Sequence, residues 1–318
     1  MNDFAQLRGF EDAWRPAALP RRFSSAGPRA PVNPAATRAR LSRIIRGAPE
    51  VLVRVTGAPR TGRALKSHLG YMTRDGALDL IMPDGKPLSG REAILEVAED
   101  WAWSAQVDSR ARSNTPIARL MVLSMPEGAD APAVLDSALT FTHRVFGERF
   151  DHCLTLHQDT PHPHVHLVVR ALGRSGERLN PEKYDLYEWR GQFAQALREH
   201  GVEAEASPRR VRGRVWASAM QDRQVQDHGW SAVGWPLPLW KQQTSIRIQY
   251  LVSAQMLERT GRKEDQEFAR RLVAFVAKMP FSQALECGHC RWPSHTAELR
   301  ALGPTWMAQR GRERERSR

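Results

Sequence analysis

FDHCLTLHQDTPHPHVHLVVRAL, residues 150–172, is the stretch on which the reading of this chain turns. Phe150 to His157 and Val165 to Leu172 are β-rich runs, and the few residues between them favour a tight reversal, so the two strands are expected to pair as an antiparallel hairpin. Residues two apart on a strand face the same way, which puts the imidazoles of His164 and His166 on one face. His157 ends the preceding strand, and in a hairpin all three rings converge at one end of the sheet. Three neutral imidazoles with an open position make a catalytic rather than a closed structural metal site. Asp159 and His162, in the connecting turn, are candidates to support the site by fixing a ring tautomer. The competing reading is a buried edge strand whose histidines bond backbone groups; three histidines at this spacing, ahead of an apolar LVV, favour the metal. Cys287-Gly-His-Cys290, with His295 nearby, also has ligand residue types, but no second pair follows at the spacing structural zinc needs.

Working outward, EVLVRVTG (50–57) reads as a strand, and Thr61 to Arg74 as a helix with Leu65, Leu69 and Met72 as its apolar stripe. Residues 76–88 read as a short hairpin turning at Pro83-Asp84-Gly85, after which Ser89 caps a helix to about Gln106. ARLMVLSMP (118–126) is nearly continuously apolar and belongs in the sheet centre. Helices follow at 130–146 and 184–201, the latter ended by glycine. This order predicts an α+β layer fold, an antiparallel sheet with helices packed on one side. Residues 1–48, with the Pro-, Ala-, Ser- and Arg-rich run 16–48, read as a basic, disordered leader. The expected domain is 49–206, followed by a basic, mainly helical region over 207–318.

The chain carries 47 Lys+Arg against 35 Asp+Glu, a net +12, which is the electrostatic footprint of a phosphate-rich partner. No apolar run approaches the roughly 18 residues of a membrane span, and the first residues lack a secretory signal. Nucleic acid is therefore the expected partner ahead of anionic lipid. Cys153, Cys287 and Cys290 form no disulfide framework, which points to the reducing cytoplasm.

His164-Val165-His166 resembles the signature of the plasmid-mobilisation relaxases, HUH endonucleases named for two histidines separated by one hydrophobic residue. His157 occupies the place of that family's upstream histidine. SHLGYMTRDG (67–76) resembles the family's first motif and sets Tyr71 in the place of the DNA nucleophile. VLSMPEG (122–128) resembles the second motif, placing Ser124 near the scissile DNA, and GERLNP (176–181) resembles the segment after the histidines. The resemblance covers about residues 50–205. It implies a ferredoxin-like antiparallel sheet, a divalent metal (Mg²⁺ or Mn²⁺ first, Zn²⁺ or Ni²⁺ as alternatives) and single-stranded DNA at an origin of transfer. It also implies relaxosome accessory proteins, a type IV secretion coupling protein, and a cytoplasmic enzyme that is translocated while bound to DNA. The family's acidic partner of a histidine could be Glu99, Asp100 or Asp159.

The chemistry is coherent apart from the resemblance. Cutting and rejoining a DNA strand requires a covalent intermediate, which a tyrosine phenolate can form. A free phenol has a pKa near 10, so attack at neutral pH needs a nearby cation or base. Tyr71 lies roughly 120° from Leu65 on the helical wheel, at the edge of the apolar stripe, where a side chain can reach a cleft. Tyr184 and Tyr187, beside Trp189, suit packing or base stacking better. Phosphate contacts are expected from arginines including Arg74, Arg170, Arg174 and Arg178, with Arg60, Arg63, Arg209, Arg210, Arg212 and Arg214 as further candidates. The rival functions are a rolling-circle replication initiator of the same chemistry and a non-catalytic DNA-binding accessory protein.

Overall fold

The computed structural model describes residues 34–213, 237–279 and 282. They fall into two compact units, divided between Pro208 and Arg209. The first unit runs α1 (Pro34–Arg46), β1 (Leu52–Gly57), α2 (Gly62–Thr73), β2 (Leu80–Ile81), β3 (Pro87–Leu88), α3 (Arg91–Val107), β4 (Ala118–Ser124), α4 (Ala131–Val145), β5 (His152–His157), β6 (His164–Arg170) and α5 (Lys183–Glu199). Its strands form one antiparallel sheet in the order β1-β4-β6-β5-β2-β3. The α+β antiparallel architecture read from the sequence is present, with β5 and β6 paired as a hairpin at the sheet centre; β4, expected there, is an interior strand one place from the edge strand β1.

The helices do not share one side of the sheet. Val165, Leu167 and Val169 of β6, with Met121 and Leu123 of β4, pack against Val134 and Phe141 of α4 and Trp189 and Phe193 of α5. The alternate residues Val168, Cys153 and Ala118 pack instead against Leu65, Leu69 and Met72 of α2 and Ile94 and Trp101 of α3. The reason lies in the runs themselves: successive strand residues face opposite ways, so a continuously apolar strand must be covered twice.

Two local expectations are corrected. Residues 34–46 of the supposed leader form α1, whose Leu41 and Ile44 are buried. Its Arg40 and Arg43 both pair with the buried Glu205, at 3.1 and 2.7 Å. The apolar pair at i and i+3 is masked in sequence by the arginines around it. Ser89 does not cap α3; Gly90 holds the N-cap position, and the Ser89 hydroxyl donates to Asp79 at 2.5 Å. Residues 1–33 and the Cys287–His295 cluster lie outside the described residues.

The second unit contains a 3₁₀ turn (Arg209–Arg212), α6 (Leu237–Arg259) and α7 (Lys263–Ala277). Buried Tyr250 donates its hydroxyl hydrogen to the Val211 carbonyl at 2.9 Å, which marks it as a core tyrosine.

Candidate active site

The β5–β6 register places His157 directly opposite His164, with His166 two residues on and on the same face. One nitrogen from each ring lies within 4.8 Å of the others. Two of the rings have their tautomer fixed. His157 Nε2 lies 2.6 Å from the Met72 carbonyl, and His164 Nδ1 lies 3.0 Å from the carbonyl of His162. A carbonyl only accepts, so each of these nitrogens carries the proton and leaves its partner nitrogen as a lone-pair donor. His166 Nδ1 is buried without a hydrogen-bond partner. Burial first, then the neighbouring His157, His164 and His68, pull the His166 pKa down to about 4. The group is therefore a set of imidazoles with one orphaned buried nitrogen, a chemistry that fits a cation ligand. A buried unsatisfied nitrogen costs on the order of 1–3 kcal/mol, which coordination would offset.

Helix α2 brings Tyr71 to this group. The Thr61 side chain caps its start, accepting from Ala64 N at 3.2 Å, and Leu65, Leu69 and Met72 anchor its buried face. Tyr71 is left 66% exposed. Its ring stands edge-on to His166 with centroids 5.8 Å apart. His68, one turn earlier, lies 6.2 Å from both Tyr71 and His166, its pKa lowered by burial. Sequence reasoning missed His68, although its i, i+3 spacing to Tyr71 put both on neighbouring parts of one helix face.

The remaining expected residues divide. Ser124 pairs with His164 across β4–β6, and its hydroxyl donates to the Met125 carbonyl at 3.3 Å. His162 reaches the site through its carbonyl rather than its ring. Asp159 contacts no histidine nitrogen; its carboxylate pairs with Arg74 at 2.5 Å. A backbone hydrogen bond and Arg74 hold Asp159 below the usual carboxylate range. Among the described residues no carboxylate joins the three histidines. Glu99 instead pairs with Lys66, and with Asp100 and Trp103 lines an open groove between α2 and α3.

Of the four arginines singled out for DNA, only Arg74 lies beside Tyr71. Arg170 ends β6 away from the histidines, and both it and Arg174 pair with Asp151, at 3.0 and 2.8 Å. Arg178 pairs with Asp108. Tyr184 and Tyr187 stand on α5, across the sheet from the histidines, where the Tyr187 hydroxyl accepts from Arg40 at 3.3 Å.

Residues 90–202, which include all three histidines, match the family described as "Relaxase: MobA/VirD2-like, nuclease domain", and that segment is thus similar to the nuclease domain of the relaxases. A T-DNA border endonuclease VirD2 of Rhizobium radiobacter is 24% identical over 192 residues, 52% of this chain and 43% of that protein. One from Agrobacterium fabrum is 25% identical over 187 residues, 52% of this chain and 41% of that protein. The chain therefore matches less than half the length of either relative. A solved structure titled "Molecular Basis of Vancomycin Resistance Transfer in Staphylococcus aureus" is 15% identical, covering 51% of this chain and 100% of its own, with a TM-score of 0.34. Tyr71 precedes the segment matched by the family model. No described helix is long and apolar enough to cross a membrane.

Proposed function

We propose that this chain nicks one strand of DNA at an origin of transfer by tyrosine transesterification, as a relaxase of conjugative mobilisation. The observation that carries the reading is the exposed Tyr71 ring set edge-on against His166 of the histidine group. Tyr71 Oη attacks the scissile phosphorus; the Oη–P bond forms as the P–O3′ bond breaks. The phenol gives up one proton and the departing 3′ oxygen takes one up, so the step is balanced in bonds and in protons. A 5′-phosphotyrosyl link and a free 3′-hydroxyl result, and the reverse attack rejoins the strand.

His157, His164 and His166 would hold a divalent cation, whose positive charge would neutralise the charge developing on the phosphate. Nitrogen donors favour Mn²⁺, Zn²⁺ or Ni²⁺ over Mg²⁺. Arg74, at the end of the same helix beside Tyr71, is paired with Asp159 and would meet a phosphate by exchanging that exposed carboxylate for it. The reading carries with it single-stranded origin DNA as substrate, accessory and coupling proteins as partners, and a cytoplasmic starting point. Incubation of the protein with origin-bearing single-stranded DNA and Mn²⁺ is expected to give a covalent adduct that survives denaturation and maps to Tyr71. An undiminished adduct in Tyr71→Phe would reject the assignment, and an absence of divalent-metal binding by calorimetry would favour a non-catalytic DNA-binding protein.

A further inference from the structure

The antiparallel registers align two rows across the sheet. Leu52, Ser124, His164 and His157 form one; Arg54, Val122, His166 and Thr155 form the next. Side chains directly opposite one another share a face, so Leu52, Arg54, Val122 and Ser124 lie on the same face as the histidines. Helices α2 and α3 do not bury this margin. Leu52 is 45% exposed, Arg54 is exposed, and Val122 and Ser124 are half-buried. Strands are spaced about 4.8 Å apart, which sets Val122 next to His166 and Arg54 about 10 Å from it, backbone to backbone. Neither row holds an acidic residue, and Arg54 has no acidic partner among the described residues.

Leu52 and Val122 set apolar surface beside the cation Arg54 along the rows that lead to the histidines. We infer that the β1–β4 margin is the floor that seats the single strand beside its scissile phosphate, with Arg54 gripping a flanking phosphate and Leu52 and Val122 underlying a sugar or base. The occupant is set by charge and by continuity: a lone cation and apolar side chains in register with the histidine group fit a nucleotide chain, which is anionic along its backbone and flat and apolar on its bases. The inference rests on the relaxase reading. It adds Arg54 to the cations that hold the DNA, in place of the ion-paired Arg170, Arg174 and Arg178.

The test is equilibrium binding of the full chain to a mixed-sequence single-stranded oligonucleotide pool across a salt series, with Mn²⁺ affinity measured separately by calorimetry. Arg54→Gln is expected to reduce the slope of log K against log salt by about 0.7, the loss of one single-strand phosphate contact. Leu52→Glu, which sets a carboxylate on the floor, is expected to weaken binding. Both variants should keep the Mn²⁺ affinity, and Arg112→Gln, at an exposed position in the α3–β4 connection, should keep the slope. An unchanged slope in Arg54→Gln together with unchanged affinity in Leu52→Glu would overturn the floor, while adduct formation at Tyr71 would still stand or fall on its own. Failure of the unaltered protein to bind the pool would overturn the floor, and the adduct on origin-bearing DNA would still decide the relaxase reading.

Discussion

At the scale of single residues, the site is held by backbone carbonyls more than by side chains. Met72 and His162 each take an imidazole N–H, and neither contact is visible in a residue-type pattern, because a carbonyl is present at every position. The three histidines were legible because strand parity dictates which side chains share a face. His68 was not, because a single histidine on a helix carries no pattern of its own. The arginine pairs were equally hidden: Asp108–Arg178 and Asp151–Arg174 join segments that only the fold brings together. His166→Gln is expected to lower Mn²⁺ affinity by at least about 100-fold, a larger loss than removal of an outer partner produces, measured by calorimetry; retention of affinity would show that His166 is not a ligand. The Arg74–Asp159 pair is about half exposed on both sides, so Asp159→Asn should leave the unfolding free energy nearly unchanged, with at most a small loss in a denaturant titration. A larger loss would mean the pair holds more than the loop it closes.

At the scale of elements, α2 was located within a residue and the β2–β3 hairpin at its expected turn, although β2 begins at Leu80 and not at Gly76, because residues 76–78 still bond back to the end of α2. The Pro83–Gly85 turn is present, with Gly85 at φ 79°. What the pattern could not convey is how closely the segment after α2 passes α3. Gly76 sits at φ 91°, and a β-carbon there would lie 2.5 Å from the Arg91 backbone nitrogen. Gly76→Ala is therefore expected to destabilise by more than about 1 kcal/mol, since both the left-handed backbone and the backbone clash oppose it. Denaturant unfolding checks this, and a variant as stable as the parent would refute the close approach. The division of helices between two faces was written into LMVL (120–123) and LVV (167–169), whose unbroken apolar character needs cover on both sides. Helix α1 was obscured because Leu41, Ile44 and Ile45 are its only large apolar residues, set among four arginines and small residues.

At the scale of the whole molecule, several of the 47 basic residues are engaged inside the fold by Glu205, Asp151 and Asp108, so a count of arginines overstates the cations open to an anion, while the net +12 already allows for such pairs. Buried histidines also set how the fold responds to acid. His152, on the face opposite the three-histidine group, is buried with its Nδ1 3.0 Å from the Phe150 carbonyl, and burial lowers its pKa from 6.5. Below that value the unfolded chain takes up a proton that the folded chain resists. The stability contribution is thus present above about pH 6.5 and is lost as pH falls toward the lowered folded value. His152→Leu should flatten the fall in unfolding free energy between about pH 7 and pH 5, and an identical slope in the two proteins would refute the assignment. The α2–β5 tie, finally, has a mechanical side. A strand joined to Tyr71 and pulled from outside would load the C-terminal turn of α2, and the Met72–His157 hydrogen bond would pass that tension into the hydrogen-bonded middle of the sheet. On the proposed reading, the residue that would carry the strand stands next to Met72, whose carbonyl ties α2 to the sheet.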